Sequence, residues 1–116
     1  MKTPMDAIFK RAVTRMLILS VFSQKERYIG EVTNRIAEYS EGVFRLENVY
    51  AAIHELLDSG CLEQMRVAND PKEQRRRQYY RITDAGREQL LRMQEKYRKM
   101  TQGVASVFES VGNNTD

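Results

Sequence analysis

The stretch RRRQYYRITDAGREQL, residues 75–90, changes its pattern of apolar residues halfway along. From Arg77 onward the side chains alternate, with Tyr80 and Ile82 on one side and their neighbours on the other, which predicts a β-strand. Thr83 is of a type that caps helices, and the apolar residues after it recur every three or four positions. The stretch therefore predicts a strand that leads directly into a helix.

The helix after Thr83 is predicted to be long and to need a partner. Its apolar residues keep spacings of three and four through about three heptads, which is the seam of a coiled coil. On a monomer such a seam would be an exposed apolar stripe, so we expect a homodimer. Gly103 weakens the helix locally, and GNNTD forms a frayed tail. The predicted interface consists of Leu90, Met93, Tyr97, Met100, Val104 and Val107, with Val111 continuing the seam.

Three shorter helices are predicted before the strand. Pro4 suits a first helical turn, and apolar residues at helical spacing then continue to Phe22. A second helix follows the polar loop SQKER and ends near Gly42, and a third, within RLENVYAAIHELLDSG, ends near Gly60. The helical period then fades, and ANDPKEQ, residues 68–74, is interpreted as the polar loop of a β-hairpin.

Three helices, a hairpin and one long helix occur in the order of a winged helix-turn-helix. We therefore predict a mainly α fold with a small β-hairpin. Residues 1–83 are expected to form the winged helix-turn-helix DNA-binding domain, and residues 84–116 the C-terminal dimerisation helix and its frayed tail. In this fold helix 3 enters the major groove of DNA, and the hairpin, or wing, touches the backbone.

Positive charge is concentrated in one segment of the chain. The net charge of the 116 residues is only +3, yet residues 72–99 contain ten lysines and arginines against four acids. An isolated charge run is usually only a solvated surface. Beside a predicted wing, however, clustered basic residues are typical of contact with DNA phosphates.

Other classes of function find little support in the sequence. Cys61 is the single cysteine and His54 the single histidine, so neither a disulfide nor a metal site is expected. We predict no enzyme activity, no catalytic residues, no metal and no cofactor, with Cys61 as a small buried hydrophobic residue. The apolar run MLILSVF is too short to span a membrane, and a cytoplasmic location is expected.

Two blocks of sequence resemble the PadR family of bacterial transcriptional regulators: VYAAIHELLDSGCLE and RRRQYYRITDAGREQL. The resemblance covers about residues 13–91. It implies a homodimer built on the C-terminal helix, a palindromic DNA operator, usually repression, and release by a small hydrophobic or aromatic effector. The single C-terminal helix is similar to the smaller branch of that family. Matching positions are Val49, Tyr50, Ala52, Leu56, Gly60, Leu62, Arg76, Arg77, Tyr79, Tyr80, Arg81, Ile82, Thr83 and Gly86.

Helix 3 departs from the family pattern. Ala51 replaces the usual proline, and the acids Glu47, Glu55 and Asp58 would repel phosphates that they faced. These departures leave the operator sequence unpredictable. They also support an alternative from another class, a winged-helix protein-interaction module that does not read DNA.

Candidate site residues follow from this interpretation. An Asn48 amide can pair with adenine, although capping of helix 3 is an equally good use of it. Tyr50 either packs on the flank of helix 3 or touches DNA. The predicted DNA contacts are Arg45, Asn48, Tyr50, Ala51, Arg75, Arg76, Arg77 and Tyr79. A pocket for a hydrophobic effector is predicted across the dimer, because methionines adapt to different shapes, and its residues are Phe9, Met93, Tyr97 and Met100.

Overall fold

The computed structural model describes the backbone of residues 4–70 and 75–113, with side chains described for residues 5–69 and 76–113. Its helices are α1 (Pro4–Phe22), α2 (Ile29–Tyr39), α3 (Val49–Asp58) and α4 (Asp84–Asn113), and its strands are β1 (Arg27–Tyr28), β2 (Leu62–Asp70) and β3 (Arg75–Ile82). The strands form one sheet in the order β1-β3-β2. Helices α2 and α3 with the β2–β3 hairpin make a winged helix-turn-helix, so the predicted fold class is confirmed.

The strand β1 is not predicted by the sequence. The structure pairs Arg27 with Tyr80 and Tyr28 with Tyr79 in antiparallel register. Two residues are too few to show an alternating pattern, and Arg27 falls in the loop SQKER of the prediction. The consequence is that the start of α2 is joined directly to the wing.

The residue types at the boundaries of the helices explain where the helices begin and end. Gly60, directly after the C-cap Ser59 of α3, has a φ angle of +78°, in the left-handed region where a glycine ends a helix. After α2, whose C-cap is Ser40, Glu41 takes the left-handed conformation with φ +54°, and Gly42 follows with φ +83°. At the start of α4, Oγ1 of Thr83 accepts a hydrogen bond of 3.0 Å from the N–H of Gly86. The predicted cap at Thr83 is therefore confirmed.

The core lies where the helices meet the sheet. Arg27, only 3% exposed, joins α1 to this region, since its Nε donates to the carbonyl of Val21 at 3.2 Å and its Nη2 to Oε1 of Gln24 at 2.6 Å. Cys61 is buried in the core, as expected for a small hydrophobic side chain. The buried hydrophobic residues are Ile18, Leu19, Val21, Phe22, Val32, Ile36, Leu46, Val49, Ile53, Leu56, Cys61, Leu62, Ile82 and Leu90.

The wing is longer than the sequence predicts. Asn69 pairs with Arg76 and Asp70 with Arg75, so both strands continue into the stretch interpreted as a loop. The prediction that residues 68–74 form a polar loop was therefore wrong for residues 68–70, because the pairing partners on β3 outweigh the polar composition. Residues 71–74 lie outside the described residues.

A register shift also shapes the hairpin. Gln64 pairs with Tyr80 and Val67 with Gln78, which places two residues of β2 opposite Tyr79 alone. Such a β-bulge bends the strand and increases its local twist.

Helix α4 is buried only in its first part. Leu90, predicted for the dimer interface, is 6% exposed and packs in the core of its own chain. Met93 packs partly against the same core, whereas Tyr97 is 46% exposed and the seam after it is open. The helix also continues through Asn113, so the first two residues of the predicted tail are helical. The last three residues lie outside the described residues.

Two further expectations from the sequence concern a membrane span and a metal site. Among the described residues, no helix combines the length and apolar composition that a membrane span requires. Within the same part of the chain, no three His, Cys, Asp or Glu side chains come together as a metal site would need.

Candidate nucleic-acid interface

Helix α3 buries one face and exposes the other. Val49, Ile53 and Leu56 enter the core, and the exposed side chains lie on the remaining circumference because successive residues turn by 100°. The α3 residues farthest from the core are Ala51, His54 and Asp58, all of them exposed. Ala51 is therefore placed on the outward face, where a major groove would meet the helix.

Asn48 stands at the start of α3 in the left-handed conformation, with φ 58° and ψ 40°. Asparagine tolerates this conformation better than most residues. Its side chain makes no capping hydrogen bond to the helix, so the capping alternative is not observed. The exposed amide remains compatible with the predicted contact to a base.

Tyr50 lies on the flank of α3, and Tyr80 lies on the inner face of the wing, the face that also carries Ile82. The side chain of Tyr50 is 64% exposed. The pKa of Tyr80 is raised above its ordinary value, first by burial and then by the neighbouring Tyr50. Helix α3 contacts β2 of the wing, and Tyr80 of β3 packs against the core that α3 enters, so α3 and the inner face of the wing are adjacent.

The arginines of β3 are divided between the two faces of the wing, because consecutive strand residues point to opposite sides. Arg76 is exposed and lies on the same face as Tyr80, toward α3. Arg77 lies on the outer face, half-buried, with its guanidinium carbon 4.1 Å from the centroid of the Tyr28 ring. Arg75 belongs to the strand, and its side chain lies outside the described residues.

The outer face of the wing carries a stack of rings and guanidinium groups that we call the outer stack, formed by Arg77, Tyr28, Tyr79 and Arg66. The rings of Tyr28 and Tyr79 meet edge to face, with centroids 5.6 Å apart and planes at 79°. Arg66 lies over Tyr79 with its guanidinium carbon 4.3 Å from the ring centroid. Arg66 also pairs with Glu26, the residue before β1. Each end of the outer stack thus connects the hairpin with the residues just before α2.

Sequence reasoning finds Arg77 and Tyr79 but misses Tyr28 and Arg66. Tyr28 precedes a helix start and gives no sign of pairing with the hairpin. Arg66 reaches the stack only because the bulge places it opposite Tyr79. The one sequence signal for this contact is that Tyr28, a polar and aromatic residue, lies just before α2.

On its other flank α3 faces the basic side of α1. Arg15 forms an ion pair with Glu55, one of the two acids on α3. An open groove of about 560 Å³ lies beside this pair and includes Lys10, Arg11 and Asn48 in its lining. Arg45 is exposed before α3, with its guanidinium beside the backbone of Gly42.

The predicted effector residues are only partly brought together. Met93 and Met100 line one open groove of about 500 Å³ along α4, together with Arg92, Lys96 and Lys99. Phe9 is 61% exposed on α1, and neither it nor Tyr97 lines that groove. This groove therefore holds two of the four predicted side chains.

Comparison with known proteins identifies related sequences and folds. Residues 18–92 match the sequence profile of the Transcriptional regulator PadR-like family. A transcriptional regulator from Clostridium thermocellum is 21% identical, with a TM-score of 0.75 over 84% of this chain and 95% of that one. A PadR family transcriptional regulator from Eggerthella lenta is 23% identical, with a TM-score of 0.76 over 90% and 89%. A PadR-like transcriptional regulator from Bacillus cereus is 21% identical, with a TM-score of 0.70 over 85% and 94%. No curated protein matches the sequence.

Proposed function

The chain belongs to the PadR-like family of transcriptional regulators, and on that premise we propose that it represses transcription by binding a palindromic operator as a homodimer. Helix α3 is the reading helix, and the wing contacts the flanking backbone. A small hydrophobic or aromatic effector releases the protein from DNA.

The observation that carries the proposal is the adjacency of two exposed surfaces, the outward face of α3 and the inner face of the wing. Helix α3 contacts β2, Tyr80 packs against the core that α3 enters, and Arg76 is exposed on the same face of β3 as Tyr80. A reading helix in the major groove therefore brings a cation to the neighbouring phosphates. In this arrangement Asn48, Tyr50 and Ala51 face bases, whereas Arg45, Arg75, Arg76, Arg77 and Tyr79 face the backbone.

The homodimer is supported by the open seam of α4. Met100, Val104, Val107 and Val111 are between 50% and 69% exposed, which is unusual for a row of apolar side chains on one small domain. A second copy of α4 would cover them. In such a dimer the two reading helices lie about 34 Å apart, one turn of DNA, which matches a palindromic site.

The effector proposal rests on the adaptable side chains at this interface. Met93 and Met100 lie in one groove, and a second subunit would complete it with residues such as Phe9 and Tyr97. A ligand bound there would change the spacing of the two reading helices, and with it the affinity for DNA.

The proposed function is tested by measuring binding to the DNA upstream of the protein's own gene and to unrelated DNA, at two salt concentrations. We expect preference for the upstream DNA and a steep loss of affinity with salt, because several phosphates are neutralised. Absence of binding to both DNAs would favour the protein-interaction module. That alternative has lost part of its support, since Glu55 is paired with Arg15.

A further inference from the structure

A second basic surface borders α3, on α1 and separate from the wing. We propose that Lys10 and Arg11 of α1 bind backbone phosphates of the operator, so that each reading helix has phosphate contacts from α1 as well as from the wing. This inference rests on the proposed DNA binding and extends it to residues outside α3 and the hairpin.

The first argument is the groove between α1 and α3, which has a volume of about 560 Å³. Its lining comes only from α1 and from residues 46–55 around the start of α3, and no described residue of the wing takes part. Lys10 and Arg11 stand on one wall, whereas Asn48 and Ala51, which are proposed to read bases, stand on the other. A DNA strand that passes the reading helix on this side therefore meets α1.

The second argument is the charge that remains in the groove. Arg15 is paired with Glu55, so this cation and this acid offset each other. Glu47, the other acid of the lining, has an interaction of its own. The side chains of Lys10 and Arg11 form no ion pair or hydrogen bond with any described residue. Arg11 is exposed and Lys10 half-buried, so both cations remain available to an anion in the groove.

The third argument is the shape of the major groove of DNA. It is about 12 Å wide, and a helix that lies in it has a phosphate backbone on either side. The wing contacts one of these backbones in the proposed complex, and α1 borders the flank of α3 that carries Asn48 and Glu55. Because Ile18 of α1 and Ile53 of α3 belong to one core, the cations of α1 keep a fixed position relative to the reading helix. Such phosphate contacts fix the register in which bases are read.

The basic face of α1 is also compatible with the proposed dimer. The exposed apolar residues of α1 are Met5, Ile8 and Phe9, each more than 60% exposed. At 100° per residue, they are centred about 160° around the helix from Lys10 and Arg11. A second subunit that covers the apolar face therefore leaves the basic face open to DNA.

The test uses the double variant Lys10→Gln with Arg11→Gln, bound to the DNA upstream of the protein's own gene and to unrelated DNA at several salt concentrations. The slope of log affinity against log salt should fall by about 3.6, or 0.9 for each of two contacts in each of two subunits. Affinity should fall on both DNAs, while the preference for the upstream DNA is kept, because a phosphate contact carries no sequence information.

Two further variants serve as controls. Arg98→Gln with Lys99→Gln removes the same charges from neighbouring exposed positions, about 20 Å along α4 from its start, and should keep the wild-type slope. Lys10→Arg with Arg11→Lys keeps both charges in the groove and should also keep that slope. Thermal unfolding of each variant checks that the fold is intact.

Ethylation of single phosphates locates the contact on the DNA. For the wild type, binding should be blocked by ethylation at two groups of phosphates beside each half-site, one facing the wing and one facing α1. In the Lys10→Gln, Arg11→Gln variant, ethylation of one group should no longer matter. In Arg76→Met, the ethylated phosphates that lose their effect should belong to the other group.

Two outcomes would overturn the inference. If the Lys10→Gln, Arg11→Gln variant loses no more of the slope than the α4 control does, the cations of the groove bind no phosphate. If its ethylation pattern equals that of the wild type, its loss of affinity reflects only the change in overall charge. Both outcomes leave the proposed function intact as long as the wild type prefers the upstream DNA and Arg76→Met lowers its slope. A wild type that binds neither DNA would overturn the proposed function, and this inference with it.

Discussion

At the scale of single residues, Gly86 shows how closely the start of α4 approaches the backbone that follows α3. A Cβ atom at this position would lie 2.2 Å from the carbonyl oxygen of Cys61 and 2.8 Å from Cγ1 of Ile82. The backbone oxygen cannot move aside without disturbing the joint between α3, β2 and α4. We expect Gly86→Ala to lower the free energy of unfolding by about 2–3 kcal/mol, as overpacking of a core does.

Gly103 is the matched control for this prediction, because a Cβ there meets nothing within 4 Å. Gly103→Ala should raise the free energy of unfolding by about 0.5–1 kcal/mol, since alanine favours the helix interior. Urea unfolding of both variants measures the contrast. Equal stability of the two variants would contradict the packing argument at Gly86.

Asn48 is the residue on which sequence specificity is proposed to depend. Its side chain is exposed and does not cap α3. Asn48→Ala should leave the salt slope almost unchanged while it reduces the preference for operator over unrelated DNA by about 1–3 kcal/mol, the value of a base contact. The control is Asn34→Ala, an exposed asparagine on α2. An unchanged preference in Asn48→Ala would remove this residue from the reading surface.

At the scale of elements, the start of α4 depends on one hydroxyl group. Oγ1 of Thr83 accepts the hydrogen bond from Gly86 and donates to the carbonyl of Gly60, so it joins α4 to the end of α3. Thr83→Ala should cost about 1 kcal/mol of stability or somewhat more, as the loss of a helix cap does. Thr83→Ser keeps the hydroxyl and should recover most of that loss in denaturant unfolding. A Ser variant as unstable as the Ala variant would mean that the methyl group, and not the cap, matters.

At the scale of the whole molecule, the open seam of α4 predicts that assembly and DNA binding are linked. Tyr97→Glu with Val104→Glu places charges in the seam at positions 46% and 50% exposed in the single chain. Because neither side chain is needed for the core, the fold should survive while the dimer dissociates. Sedimentation should show that this variant is a monomer. Its affinity for operator DNA should be much lower than that of the wild type.

The control for the seam is Gln102→Glu with Ser106→Glu, which adds the same charges to α4 at exposed positions away from the predicted seam. This variant should sediment as the wild type does. If the seam variant remains a dimer, the exposed row on α4 is not the interface and another surface must join the subunits.

What the sequence alone determined is what depends on local pattern. The period of the apolar residues predicts the helices, the alternation after Arg77 predicts the return strand, and Thr83 and Gly60 predict where helices start and stop. Each of these follows from the residue's own neighbours along the chain, because helix and strand bring known positions to one face.

Only the tertiary structure decided which of these residues meet. The pairing of Tyr28 with the wing joins segments about fifty residues apart, and the bulge that brings Arg66 onto Tyr79 depends on strand register. Leu90 continues the seam in sequence, yet the fold uses it for the core, because the first turns of α4 pack on the chain itself. Periodicity shows that a face is apolar, whereas only the packing of the elements shows what covers it.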